Sequence, residues 1–232
     1  MQNFEQIVLN SVHFLASALF FGAVSYGELK YFKKGRPIFY QFVLLGLLSA
    51  MLSMVYDIIT YMFFESSWDG FSLSTFATLG FALMFTGSMV ELFKHLEERG
   101  VTCSFARDFG LCEKLLAIVP IAVEIYLFFM IVKIDPVRIN SIWLGISIFI
   151  LTLPTYLAAL LLFRKDNGSG NVRSLRPFCF GMILFQVLFL NTYYSMFIGG
   201  SVYCIAIVLF GVSAVFLVAE LERGSKNGSD PL

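Results

Sequence analysis

An all-α, polytopic integral membrane protein is the fold class this sequence predicts: a bundle of seven transmembrane helices, N-terminus outside and C-terminus in the cytosol. Three observations carry that expectation. The 232 residues are 58% hydrophobic and only 14% charged, with a mean hydropathy of +0.81, more apolar surface than a soluble domain of this length can hide. Seven stretches reach the roughly 20 mostly apolar residues that a helix needs to cross the hydrocarbon core. Threading the chain through those stretches puts fourteen of the sixteen Lys and Arg residues on one side.

The first span covers about residues 6–27. No Lys or Arg precedes Lys30; a secretory signal peptide needs a basic start, so this span is expected to stay in the protein. Lys30, Lys33, Lys34 and Arg36 follow it. Pro37 opens the second span, 37–64, in the first turn, where a missing N–H costs nothing. A connection with acidic and no basic residues, 65–72, leads to the third span, 73–93. Lys94, Arg99, Arg107 and Lys114 then precede the fourth, 114–134.

Asp135-Pro136 breaks the chain before the fifth span, 139–163. Lys133 and Arg138 flank that break and are the two basic residues on the opposite side. Arg164, Lys165, Arg173 and Arg176 lead into the sixth span, 177–198, which Pro177 opens as Pro37 opens the second. Gly199-Gly200 separates it from the seventh, 201–221, after which Arg223 and Lys226 complete the basic set. Basic connections stay in the cytosol, where they meet anionic lipid headgroups. Residues 1–223 therefore read as one transmembrane domain. Residues 224–232 read as a short, polar, disordered cytosolic tail. The expected location is the cell membrane, plasma or inner.

A faint internal echo admits a 3+1+3 parallel repeat. Arg36-Pro37 opens span 2 and Arg176-Pro177 opens span 6; Leu96-Glu-Glu-Arg-Gly100 follows span 3 and Leu221-Glu-Arg-Gly224 closes span 7. Spans 1–3 and 5–7 run in the same directions, with span 4 as linker, as a parallel duplication requires. Topology alone also accounts for Arg before Pro at a cytosolic helix start.

Ionisable and strongly polar side chains cost about 2.5–3.5 kcal/mol or less to place in the membrane, so each one is a candidate site. In span 2, Ser49, Ser53, Asp57 and Thr60 share one face, with Gly46 and Ala50 beside it. Span 1 offers Asn10, His13 and Ser17, span 6 offers Gln186 and Asn191, and span 4 offers Glu124 one turn after Pro120. At about 1.5 Å per residue, His13, Asp57 and Asn191 each lie roughly 10 Å below the outer surface. Three polar groups at one depth suggest an outward-facing pocket, which Ser53 and Gln186 extend and which Glu124, near the midplane, continues inward. The plainer reading is an interhelical pair, such as Asp57 with His13, worth about 0.6 kcal/mol.

Catalytic signatures are missing from the sequence: no P-loop, no Gly-X-Ser-X-Gly, no His-Glu-X-X-His. Tyr56-Asp57 is similar to half of an intramembrane aspartyl protease, but no second Asp lies in a span interior to share the proton that chemistry needs. Cys103 and Cys112 are nine residues apart, a spacing that fits no zinc pattern, and Cys179 and Cys204 sit in apolar runs. No metal, cofactor or nucleic-acid partner is expected. Gly211-Val-Ser-Ala214 looks locally like an opsin segment, yet residues 201–221 hold no lysine for a retinal Schiff base. Spans 1 and 2, with Arg36, Phe39 and Asp57, resemble the membrane sensor region of some bacterial kinases over about a quarter of the chain. Two functions follow as expectations. One is a small transporter or channel in which Asp57 or Glu124 binds a cation or carries a proton. The other is a seven-helix sensor that signals to a cytosolic protein through residues 94–114. A membrane enzyme or assembly factor comes third.

Overall fold

The structure is a computed structural model that describes residues 2–34, 36–63, 73–101, 109–134, 139–164 and 170–227. Within those ranges, side chains are described except at 2–6, 33–34, 57–58, 60–63, 73–75, 134, 139–144, 170–172, 196–197 and 224–227. The described residues are helical throughout, without a strand, and form α1 (Gln2–Lys34), α2 (Ile38–Phe63), α3 (Leu73–Glu98), α4 (Leu111–Leu116), α5 (Ile118–Ile134), α6 (Ile139–Phe163), α7 (Gly170–Ile198) and α8 (Gly200–Asn227). Seven helical segments are long and apolar enough to span a membrane, with α4 and α5 together supplying the fourth. The chain is therefore an integral membrane protein of the multi-pass, seven-helix kind.

The helices are longer than their apolar stretches. α1 reaches Lys34 and α3 reaches Glu98, because hydrogen bonding between turns continues into charged flanks that hydropathy does not register. Pro177, expected in the first turn of its helix, lies inside α7, which starts at Gly170. The polar run before it is helical as well, and the apolar boundary was mistaken for the helical one. The expected disordered tail is corrected in the same way. α8 continues to Asn227, so 224–227 are helical, and 228–232 lie outside the described residues.

The fourth span is interrupted. Pro120 has no N–H to give the Leu116 carbonyl, and the helix breaks at Ala117 between α4 and α5. α4 begins at Leu111, three residues before the expected start, because Glu113 Oε2 accepts the Gly110 N–H at 2.8 Å and caps it. Pro154 falls inside α6 and frees the carbonyl of Ile150. Thr86 of α3 donates to that oxygen at 3.5 Å, the kind of replacement bond a membrane helix needs around a proline. Between α7 and α8 only Gly199 is non-helical; φ is +73° at Gly199 and +59° at Gly200, values a side chain would resist.

Six helices close a ring: α1 packs on α2, α2 on α3, α3 on α6, α6 on α7, α7 on α8, and α8 on α1. α5 lies outside that ring, in the groove between α6 and α7, with α4 beside it. Only one stripe of α5 is covered, running through Ala117, Glu124, Leu127, Phe128 and Ile131, while Val119, Val123, Tyr126 and Phe129 are exposed. That is the pattern of a helix with one face on protein and the rest on lipid.

Candidate functional site

Phenylalanine fills the centre of the ring. Phe20 of α1, Phe81 and Phe85 of α3, Phe185 and Phe189 of α7 and Phe210 of α8 are all buried. Their rings meet edge-on or tilted, with centroids 4.5 Å apart for Phe81–Phe85, 4.7 Å for Phe185–Phe210, 5.0 Å for Phe20–Phe210 and 5.1 Å for Phe81–Phe189. Such geometry suits the ring quadrupoles. Among the described residues α2 contributes no ring to this layer. It contributes Gly46, where an added Cβ would sit 2.5 Å from the ring of Phe85.

Polar groups lie on either side of the aromatic layer. At the end where α1 begins, His13 Nε2 is 2.9 Å from the Tyr203 hydroxyl of α8, and His13 Nδ1 is 3.0 Å from the Leu9 carbonyl. Ser53 of α2 is 3.3 Å from Thr78 of α3, and Thr78 is 3.5 Å from the Tyr193 hydroxyl of α7. Phe20 is seven residues beyond His13 and Phe210 seven beyond Tyr203, about 10 Å of helix in each case. At the opposite end, Arg36 meets Glu222 of α8 at 2.7 Å, with both side chains 4% exposed. Tyr40 donates to the same carboxylate at 3.5 Å, and Gln41 donates to Glu28 of α1 at 3.2 Å.

A separate polar cluster sits off the central axis, where α5, α6 and α7 meet. Glu124, Thr155 and Gln186 are each 0% exposed. Thr155 Oγ1 lies 2.6 Å from Glu124 Oε1 and 2.9 Å from the Leu151 carbonyl, and it also contacts Gln186 Oε1. Glu124 Oε2 and Gln186 Nε2 have no hydrogen-bond partner, and Glu124 has no basic neighbour within ion-pair distance among the described residues.

The sequence-derived candidates thus separate into groups. Glu124 and Gln186 come together through Thr155. Ser53 joins Thr78 and Tyr193, and the Ser49–Ser53 face of α2 turns to α3, with Ser49 Oγ 3.3 Å from where a Cβ on Gly80 would stand. His13 spends both ring nitrogens on Leu9 and Tyr203, so neither bonds Asn191, which is half-buried on α7. The Asp57 side chain lies outside the described residues, and with it the Asp57–His13 pairing. Sequence reasoning missed Thr155, Thr78, Tyr193, Tyr203 and the Arg36–Glu222 pair. Tyrosines near membrane interfaces are ordinary, and periodicity does not say which helices are neighbours. The charges at Arg36 and Glu222 were a usable signal, since both sit at helix ends on the same side.

Among the described residues no three His, Cys, Asp or Glu side chains gather to hold a metal ion. Comparison with known proteins found no family model, no curated protein and no solved structure that matches this chain.

Proposed function

We propose that this protein is a small membrane transporter, a carrier for a small solute or cation, lying in the cell membrane with its N-terminus outside. The observation that carries the reading is the layering along the ring: polar groups at both ends and a buried aromatic seal between them. A carrier at rest needs such a seal, and a pathway with side-chain binding groups on both faces of it suits alternating access. An open channel would need a wetted path, which six packed phenylalanines do not offer.

The packing scheme supports the 3+1+3 reading. α1–α2 corresponds to α6–α7, α2–α3 to α7–α8, and the α3–α6 contact to the α8–α1 contact. The linker, α4 and α5, lies outside both triplets. Parallel repeats of this kind recur in secondary transporters, with the site at the repeat interface. The charge distribution supports the orientation, since Arg36, Lys94, Arg164 and Arg223 share one side.

Proteoliposomes challenged with glycerol, glucose or potassium chloride test the function by light-scattering shrinkage and recovery. Phe185→Ala is expected to raise passive flux above the wild-type level for at least one of these probes. Flux equal to that of empty liposomes for both proteins would overturn the reading. Lys94→Cys labelled by an impermeant thiol reagent from the outside of intact cells would overturn the orientation.

A sensor remains the second reading because α8 carries Tyr203 at one end and Glu222 at the other, joining both polar layers in one rigid element. A cytosolic partner would then dock on residues 94–114. Of that stretch, 94–98 extend α3 and 111–114 belong to α4, while 102–108 lie outside the described residues. Reproducible capture of one protein through this stretch, with no flux in liposomes, would favour it.

A further inference from the structure

We propose that Glu124, Thr155 and Gln186 form a proton-binding site, occupied when α5 is docked on α6 and α7, and that proton release frees α5. The hydrogen count around Thr155 leads there. A threonine hydroxyl has one hydrogen to give and two lone pairs to receive. Three oxygens surround Thr155 Oγ1: Glu124 Oε1 at 2.6 Å, the Leu151 carbonyl at 2.9 Å and Gln186 Oε1. The carbonyl can only accept, and the back-bond to it from four residues on is the usual use of a helical threonine. The two remaining neighbours must then donate. Gln186 does so when its amide is turned by half a turn, so that Nε2 faces Thr155. Glu124 does so only as a carboxylic acid.

The alternative assignment gives the hydroxyl hydrogen to a Glu124 carboxylate. That leaves a full negative charge on Glu124, 0% exposed, with Oε2 unpartnered and no cation in ion-pair reach among the described residues. Such a charge in a low-dielectric site is far costlier than its neutral form. The neighbouring elements do not relieve it. α4 carries Cys112, Glu113 and Lys114, α6 carries Tyr156, and α7 carries Arg173, Arg176, Cys179, Tyr193 and Tyr194. α5 itself carries Tyr126 and Lys133. None of them makes a hydrogen bond or ion pair with Glu124, whose one polar side-chain partner among the described residues is Thr155.

Release follows from the same geometry. When the carboxyl gives up its proton to water, the resulting carboxylate must be hydrated, and with Glu124, Thr155 and Gln186 each 0% exposed bulk water does not reach it while α5 is docked. α5 must therefore part from α6 and α7. The break at Ala117 lies seven residues before Glu124 on the same covered stripe and provides the pivot, while the Glu113 cap holds α4. Rebinding of a proton restores the acid and lets α5 dock again. Glu124 is in this sense a positioning residue whose charge state sets the place of a helix. The link to solute movement rests on the transporter reading; the proton site itself does not.

Infrared difference spectra between acid and alkaline pH, on lipid-reconstituted protein, test the site directly. The expected result is a carboxylic-acid C=O band in the wild type that Glu124→Gln removes, since the amide keeps the size and a hydrogen-bond donor but has no proton to lose. Asp57→Asn is expected to keep that band. Thr155→Val is expected to shift it, because the acid loses its acceptor. Identical spectra for wild type and Glu124→Gln would overturn the proposal, as would an unshifted band in Thr155→Val. In liposomes containing a pH-sensitive dye, Glu124→Gln is expected to lose proton movement while keeping solute exchange; proton movement equal to wild type would overturn the coupling. Absence of any solute flux in the wild type would count against transport alone, with the infrared result still deciding the proton site.

Discussion

The triplets α1–α3 and α6–α8 pack on the same scheme and are fastened differently. Each carries Arg-Pro, just before α2 in the first and inside α7 in the second, but Arg36 crosses to Glu222 in the other triplet, whereas Arg176 donates to the Arg164 carbonyl within its own. α3 ends at Glu98 and is stopped at Gly100, where φ is +74° and Val101 N–H returns to the Leu96 carbonyl at 3.0 Å, a Schellman stop. The matching Gly224 is passed over, and α8 runs on to Asn227. α4 and α5 brace only the second triplet. Repeated architecture therefore does not mean equal rigidity. The second triplet is held by its own bonds and an outer helix. The first has bonds of its own, Gln41–Glu28 and Ser53–Thr78, but no outer helix, and is tied across the interface by Arg36–Glu222, His13–Tyr203, Thr78–Tyr193 and Thr86–Ile150.

If that contrast is right, Arg36→Ala is the most damaging single change. It removes the cation beside Glu222, whose side chain is 4% exposed, and breaking one side of a buried pair costs about 3–5 kcal/mol. Arg176→Ala, which loses a charged bond to a carbonyl, is expected to cost about 1.5–3 kcal/mol. Denaturation in mixed micelles measures both, and equal losses would break the comparison. Next come the glycines that seat a phenylalanine of the following helix. Gly46→Ala drives a Cβ to 2.5 Å from Phe85, a ring pinned by Phe81 and Phe185, at a cost of about 1–3 kcal/mol. Gly181→Ala meets the half-buried Phe216 at 3.3 Å, and a smaller loss is expected because that ring has room to yield. Smallest is Tyr203→Phe, which removes one interhelical bond worth about 0.6 kcal/mol; a loss as large as that of Arg36→Ala would show that the seam is anchored at the other end.

Much of the fold was legible in the sequence, because lipid imposes one rule on every span. Each backbone group must be satisfied internally, so long apolar runs are helices. What hydropathy could not mark was where helices stop, since charged flanks such as Gly170–Arg176 satisfy the same hydrogen bonds in water. Glu124 and Gln186 stood out because polar groups are costly there; Thr155 did not, because a threonine can satisfy its hydroxyl on its own helix. The aromatic seal was hidden by abundance. Phe20 is fully buried and its neighbour Phe21 is exposed, and in a membrane the protein interior and the lipid favour the same residues. Only knowledge of which helices are adjacent separates them.

The short joins of the chain decide where its wall can part. With one residue between them, α7 and α8 are a hairpin that cannot be spread apart at that end, and α1 ends only four positions before α2 begins. Between neighbouring helices of the ring, the two contacts without a direct covalent link are α1 against α8 and α3 against α6, on opposite sides. A molecule leaving the middle of the bundle sideways would find its door at one of those two edges, and a cross-link placed there would lock it.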